Sequence, residues 1–229
     1  MIVKKMFSAD YKKTWELMED IASRKKQGQD QNDYLLLVEH TPVYTIGKDG
    51  SREDILVPEK FLQKLDIKCY DVNRGGKITF HGPGQLVGYP ILDLRNYGRD
   101  LLLYLNNIEQ SIIDLLSGYG IQSSRVDGKP GVWINDDKIA AVGIGASRWV
   151  TEHGFALNVT TDLDFFSFIN PCGFIDKGVS SIEKVSGKSL KLQEVMEDYI
   201  KVFSGLFKIK KIEQGEFDYG SEYKSCHQK

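Results

Sequence analysis

Residues 74–85, Arg74-Gly75-Gly76-Lys77-Ile78-Thr79-Phe80-His81-Gly82-Pro83-Gly84-Gln85, hold four glycines and one proline in twelve positions. Glycine costs backbone entropy inside a helix or strand, and proline removes a backbone donor. No regular element is expected to carry those residues in its interior. The stretch predicts either a succession of tight turns or backbone that passes close to a ligand.

The flanking sequence predicts the elements that must pack around it. A helix is expected over residues 8–22, capped by Ser8, with Asp10 in the first turn and Tyr11, Trp15, Met18 and Ala22 at helical spacing. Residues 24–33 are polar and predict an exposed loop. The apolar run 34–38 and residues 43–46 read as strands, 59–65 as a short helix and 69–72 as strand-like. A strand over 86–94 contains Pro90, which suggests an edge or a bulge. Residues 100–117 form the clearest helix: Leu101, Leu102, Leu105, Ile108, Ile112, Leu115 and Leu116 share one face, and Gly118 ends it. Trp133-Ile134, residues 137–145 and residues 155–159 predict a three-stranded meander turned by Asn135-Asp136. A second amphipathic helix is expected over 190–207, followed by a polar tail, 214–229. Helices and antiparallel-looking strands interleave without regular alternation, which points to an α+β fold, and no linker or repeat divides residues 1–229 into more than one domain.

The bulk properties exclude several classes of function. Of the 229 residues 41% are hydrophobic and 27% charged, with a net charge of −2. No global field therefore favours nucleic acid or membrane. The basic clusters Lys4-Lys5, Lys12-Lys13, Arg24-Lys25-Lys26 and Lys208-Lys210-Lys211 read as solvated faces. Cys69, Cys172 and Cys226 are widely spaced and odd in number, which argues against a disulfide framework and a structural zinc site. With no apolar run of signal-peptide or membrane-spanning length, a cytoplasmic location is expected.

Three segments can carry chemistry. Residues 74–85 do not fit a phosphate-binding P-loop: Asp71 stands where its first glycine belongs, and Ile78 follows Lys77 where serine or threonine is required. A cradle for an extended apolar or carbonyl-bearing ligand fits better, with backbone amides available to an acyl oxygen. His81 within it is a base, a donor or a turn residue. In residues 131–145, Lys138 opens an otherwise apolar run. Its ammonium either snorkels to solvent or, held in a cleft, becomes a proton carrier. In Pro171-Cys172-Gly173 the thiol is either a small buried hydrophobe or is presented by the turn around it. The residues alone leave both readings open, whereas Cys69 and Cys226 read as structural or incidental.

Taken together, these segments resemble the lipoyl(octanoyl) transferase family. The likeness rests on Arg74-Gly75-Gly76, Thr79 through Val87 with Tyr89-Pro90, Gly131-Val132-Trp133, Lys138 through Gly143, His153 through Asn158, and Pro171-Cys172-Gly173, in that order. It implies a biotin/lipoate protein ligase-like α+β catalytic domain with mixed, mainly antiparallel sheets and flanking helices. It also implies transfer of an octanoyl group through a thioester on Cys172, with Lys138 as its partner. Arg74, Gly75, Gly76, Lys77, Ile78, Thr79, Phe80, His81, Ala141, Val142, Gly143, Gly154, Phe155 and Ala156 would line the acyl site. The implied partners are octanoyl acyl carrier protein as donor, and as acceptors the lipoyl domains of 2-oxo acid dehydrogenase complexes and the glycine cleavage H protein, with neither ATP nor metal required. The competing expectations are an ATP-dependent lipoate–protein ligase of the same fold and a non-catalytic acyl- or carrier-protein-binding module.

Overall fold

A computed structural model describes residues 1–170 and 178–215. Cys172, its neighbours Pro171 and Gly173, and Cys226 lie outside the described residues.

The described chain forms two sheets. The larger runs in the order β11 (Glu213–Gly215), β1 (Ile2–Ala9), β2 (Tyr34–His40), β6 (Gln85–Ile91), β10 (Val150–Asn158), β9 (Asp137–Ser147), β8 (Lys129–Ile134) and β7 (Ser124–Val126). Within this sheet only the β11–β1 and β1–β2 pairings are parallel. The smaller sheet places β3 (Val43–Ile46) between β4 (Lys68–Asp71) and β5 (Ile78–His81). Five α-helices and three short 3-10 turns complete the described structure, the α-helices being α1 (Tyr11–Lys26), α2 (Glu59–Lys64), α3 (Leu101–Gly118), α4 (Ile182–Ser186) and α5 (Leu192–Leu206). The arrangement is α+β, with mixed and mainly antiparallel sheets, as expected.

Both faces of the large sheet are covered, which explains why residues 34–38 are apolar without alternation. Leu35 and Leu37 point to a core with Ile108, Ile112 and Leu116 of α3 and Met196, Tyr199 and Phe203 of α5. Leu36 and Val38 point the other way, against Met18, Ile21 and Ala22 of α1. Each such side chain contributes roughly 1.5–3 kcal/mol on burial. The small sheet has its own core, in which Tyr44, Ile78 and Phe80 pack with Leu62 and Ile169.

Several expectations change. The first helix begins at Tyr11, because Ser8 belongs to β1; Asp10 is the cap, its carboxylate accepting from the Lys13 amide at 3.0 Å. The helix continues to Lys26, so its last turn takes up residues read as loop. Lys25, at 3% exposure, is buried there; its ammonium donates to the Asn32 carbonyl and pairs with Asp33 at 3.0 Å. Strands β1, β7 and β11 were not expected, and β11 takes in Gln214 and Gly215 of the polar tail. A four-residue strand, β5, also sits inside the glycine-rich stretch, with the glycines in the turns on either side of it.

Pro90 marks no edge, since β6 lies between β2 and β10. Its ring occupies a gap in the ladder to β10, whose pairing with β6 stops at Phe155↔Gly88. A Cβ on Gly154 would stand 2.8 Å from the Pro90 ring and 2.1 Å from the Gly88 carbonyl. Only glycine lets β10 pass so close to a strand that carries a proline.

Candidate active site

Beyond Ala140, β9 runs on past the reach of β8, whose register with it ends at Val132↔Ala140. Residues 74–76 approach β9 there: a Cβ on Gly143 would lie 3.1 Å from the Gly75 carbonyl and 3.3 Å from the Arg74 side chain. A cavity of about 420 Å³ opens between this loop, β5, β6, β9, β10 and the first residue of α1. That volume falls in the range of small-ligand pockets, roughly 300–1,000 Å³.

The cavity gathers most of the residues expected to line an acyl site. Arg74, Gly75, Gly76, Lys77, Ile78, Thr79 and His81 form one wall, and Ala141, Val142, Gly143, Gly154, Phe155 and Ala156 form another. Phe80 is the exception. Strand alternation turns it away from Thr79 and His81, and its ring stacks on Phe165 at 4.6 Å within the small-sheet core.

Lys138 also lines the cavity, half-buried, with its ammonium 4.7 Å from the centre of the Trp133 ring. This is a cation–π contact. Its backbone is paired with the residues that resume the described chain. The Lys138 amide donates to the Gly178 carbonyl and the Ser180 amide donates to the Lys138 carbonyl, each at 3.0 Å. Phe166 and Val179 both line the cavity. The described chain therefore reaches the cavity on either side of the undescribed residues 171–177. Among the described cysteines, burial pushes the Cys69 thiol up, away from reactivity.

Of the charged residues on the wall, Asp49, Arg74, Lys77, Lys129 and Lys138, only Arg74 is buried. That guanidinium is buried and held by the Thr45 carbonyl at 2.6 Å, the Thr45 hydroxyl at 3.0 Å and the Gly75 carbonyl at 2.9 Å. Three imidazoles lie nearby. His40 donates from Nδ1 to the Ala9 carbonyl and accepts at Nε2 from the Tyr89 hydroxyl at 2.8 Å. His81 stacks against Tyr11, with 6.1 Å between ring centres. His153, at a positive φ of 59°, pairs through Nε2 with the Asn73 carboxamide oxygen. Burial, chiefly, pushes His40 down to about 4, His81 to about 3 and His153 to about 4. For His81 and His153 the Arg74 charge adds to the effect.

These shifts carry a stability prediction. An unfolded imidazole titrates near 6.5. Between about pH 6.5 and 4 the unfolded chain therefore binds up to three more protons than the folded one, and stability rises with pH across that window. Urea unfolding at pH 5 is expected to give a free energy roughly 3–6 kcal/mol below that at pH 7. Equal midpoints at the two pH values would show that the three rings are not buried as neutral groups.

Several cavity residues were not singled out from the sequence as site residues: Tyr11, Asp49, Gln85, Tyr89, Trp133, His153 and Asn158. They come from five separate stretches of chain, and no local pattern connects them. A partial signal lay in Gln85, Tyr89, Trp133, His153 and Asn158, which sit inside the motifs that carried the resemblance.

The architecture is that of the lipoate- and biotin-protein ligases. A putative lipoate protein ligase from Thermoplasma acidophilum with bound lipoic acid superimposes with a TM-score of 0.74 at 16% identity, covering 95% of this chain and 89% of that one. A biotin protein ligase from Aquifex aeolicus in complex with biotin and ATP gives 0.53 at 17% identity over 91% and 69% of the two chains. At such identities the likeness shows the fold alone. Sequence narrows the class: the family model described as the lipoyl protein ligase A/B catalytic domain matches residues 10–204, and the chain belongs to that family. An octanoyltransferase of Solibacter usitatus is 47% identical over 198 residues, covering 86% of this chain and 89% of its own. One from Christiangramia forsetii is 44% identical over 221 residues, covering 90% and 94%.

Among the described residues no helix is long and apolar enough to cross a membrane, and no three His, Cys, Asp or Glu side chains gather as a metal set.

Proposed function

We propose that this protein is an octanoyltransferase of lipoate biosynthesis. It takes an octanoyl group from acyl carrier protein onto Cys172 and passes it to a lysine on lipoyl domains of 2-oxo acid dehydrogenase complexes and on the glycine cleavage H protein. The observation that carries the reading is the pairing of the Lys138 backbone with Gly178 and Ser180, at a cavity whose wall is largely apolar. Identity above 40% with octanoyltransferases over most of the chain supports the substrate.

The chemistry balances without ATP or metal. The Cys172 thiolate attacks the carrier thioester, the carrier thiolate leaves, and the Lys138 ammonium gives it a proton. The acceptor amine then attacks the Cys172 thioester. Its proton passes to neutral Lys138, and the Cys172 thiolate departs as the amide forms. Thioester exchange is nearly balanced in free energy, and formation of the amide drives the second step. Backbone amides of the glycine-rich wall other than that of Gly76, which donates to Asp49, are the candidate oxyanion donors.

Intact mass spectrometry after mixing with octanoyl carrier protein, with ATP omitted, is the test. One octanoyl group is expected on the enzyme, mapped to Cys172 and discharged by an apo lipoyl domain. An ATP requirement would favour a ligase, and bound acyl chain with no covalent adduct would favour a binding module.

A further inference from the structure

Along the cavity wall runs a line of buried side-chain amides that the steps above do not use. His81 Nδ1 donates to Gln85 Oε1 at 2.8 Å. Gln85 Nε2 donates to the Phe80 carbonyl at 3.1 Å and to Asn158 Oδ1 at 2.9 Å. Asn158 Nδ2 donates to the Ser180 carbonyl at 3.0 Å. Gln85 is 1% exposed and Asn158 4%.

The direction of every bond follows from one end. A carbonyl only accepts, so Asn158 must turn its NH₂ to Ser180 and its oxygen to Gln85. Gln85 must then turn its NH₂ to Asn158 and its oxygen to His81. The proton of neutral His81 is thereby fixed on Nδ1, leaving Nε2 as an acceptor. Ser180 is also the residue whose amide donates to the Lys138 carbonyl. Asn158 thus holds at Ser180 the short segment that the Lys138 backbone pairs with at Gly178 and Ser180. A buried amide chain of this kind is costly if any link is unsatisfied, and it fixes geometry when all are made.

We propose that Asn158 is a positioning residue of the transfer reaction: its carboxamide registers residues 178–180 against Lys138 and, through Gln85, sets the tautomer of His81 on the cavity wall. The proposal rests on the reading of Cys172 as acyl carrier and Lys138 as proton carrier. Asn158 touches no reacting atom in this scheme. It acts by aligning the chain beside Lys138 and by keeping a lone pair on His81 for a substrate N–H.

Two variants test it. Asn158→Leu keeps the volume and deletes both bonds. Asn158→Asp keeps the acceptor toward Gln85 but donates to Ser180 only while its carboxyl is protonated. The full chain is mixed with octanoyl carrier protein, quenched over time and read by intact mass. Absence of acylation at Cys172 in the unaltered protein would refute the proposed function itself. With that acylation present, Asn158→Leu is expected to slow it on the order of tenfold to a hundredfold, with little change in the carrier concentration giving half-maximal rate. Asn158→Asp is expected to track the unaltered protein at low pH and to fall behind as the pH rises through the carboxyl range. A merely structural role would lower stability without producing that divergence. If Asn158→Leu shows no cooperative melt, Asn158→Asp decides alone. An unaltered pH profile and rate in Asn158→Asp would overturn the proposal.

Discussion

Cys172→Ala is expected to lose octanoyl transfer by a factor on the order of 10⁴ or more, and to lose the covalent adduct altogether. Among the described residues no thiol is placed to substitute. Cys69 lies on β4, outside the cavity lining, and burial pushes its thiol up. The measurement is octanoylation of an apo lipoyl domain, read by mass on the acceptor lysine. Transfer that survived the substitution would mean that the acceptor amine attacks the carrier thioester directly, with the enzyme only bringing the two together.

Lys138→Arg is the second large effect. Arginine keeps the positive charge and can still stack on Trp133, but it does not release its proton near neutral pH. Removing a general acid–base costs typically 10²–10⁴ in rate, and a loss on the order of 10²–10⁴ is expected here in both half-reactions. A comparison with Lys138→Gln separates charge from proton transfer. Alkylation of Cys172 by iodoacetamide reports thiolate, so it is expected to remain fast in Lys138→Arg and to slow in Lys138→Gln. Near-normal turnover in Lys138→Arg would end the proton-carrier role.

Where burial and period coincided, the fold was legible in the residues. Ile108, Ile112, Leu115 and Leu116 gave α3 and are buried as expected, with Asp100 as the cap that accepts from the Leu103 amide at 2.9 Å. Leu101 and Leu102 of the expected face lie exposed in the first turn, where Tyr104 packs inward instead. Asn135-Asp136 marked the β8–β9 turn, where Asn135 takes a positive φ of 53°. Strand β1 escaped because its lysines mimic a solvated segment. Lys4 is nevertheless only 7% exposed, and Lys5 reaches Glu197 of α5. Pro90 misled for a different reason: the opposing Gly154, 64 positions later, supplies the space that an interior strand with a proline needs. Of the cavity, the glycine-bearing walls could be read locally. Tyr11, Tyr89 and Asn158 could not, because their convergence depends on β6 and β10 being neighbours. Phe80 shows the limit of carrying over a run of consecutive residues, since in a strand alternate members face opposite ways.

The pairing of β1 with β11 joins segments far apart in the sequence. Ile2, Val3 and Lys4 meet Glu213, Gln214 and Gly215 in register, with every strand of the pocket lying between them along the chain. Pairing across so long a loop is intrinsically slow, because closure entropy opposes it. Whenever β11 is displaced, the Ile2–Ala9 strand presents an open parallel edge able to recruit a strand from another molecule, so local opening at this border is an aggregation hazard.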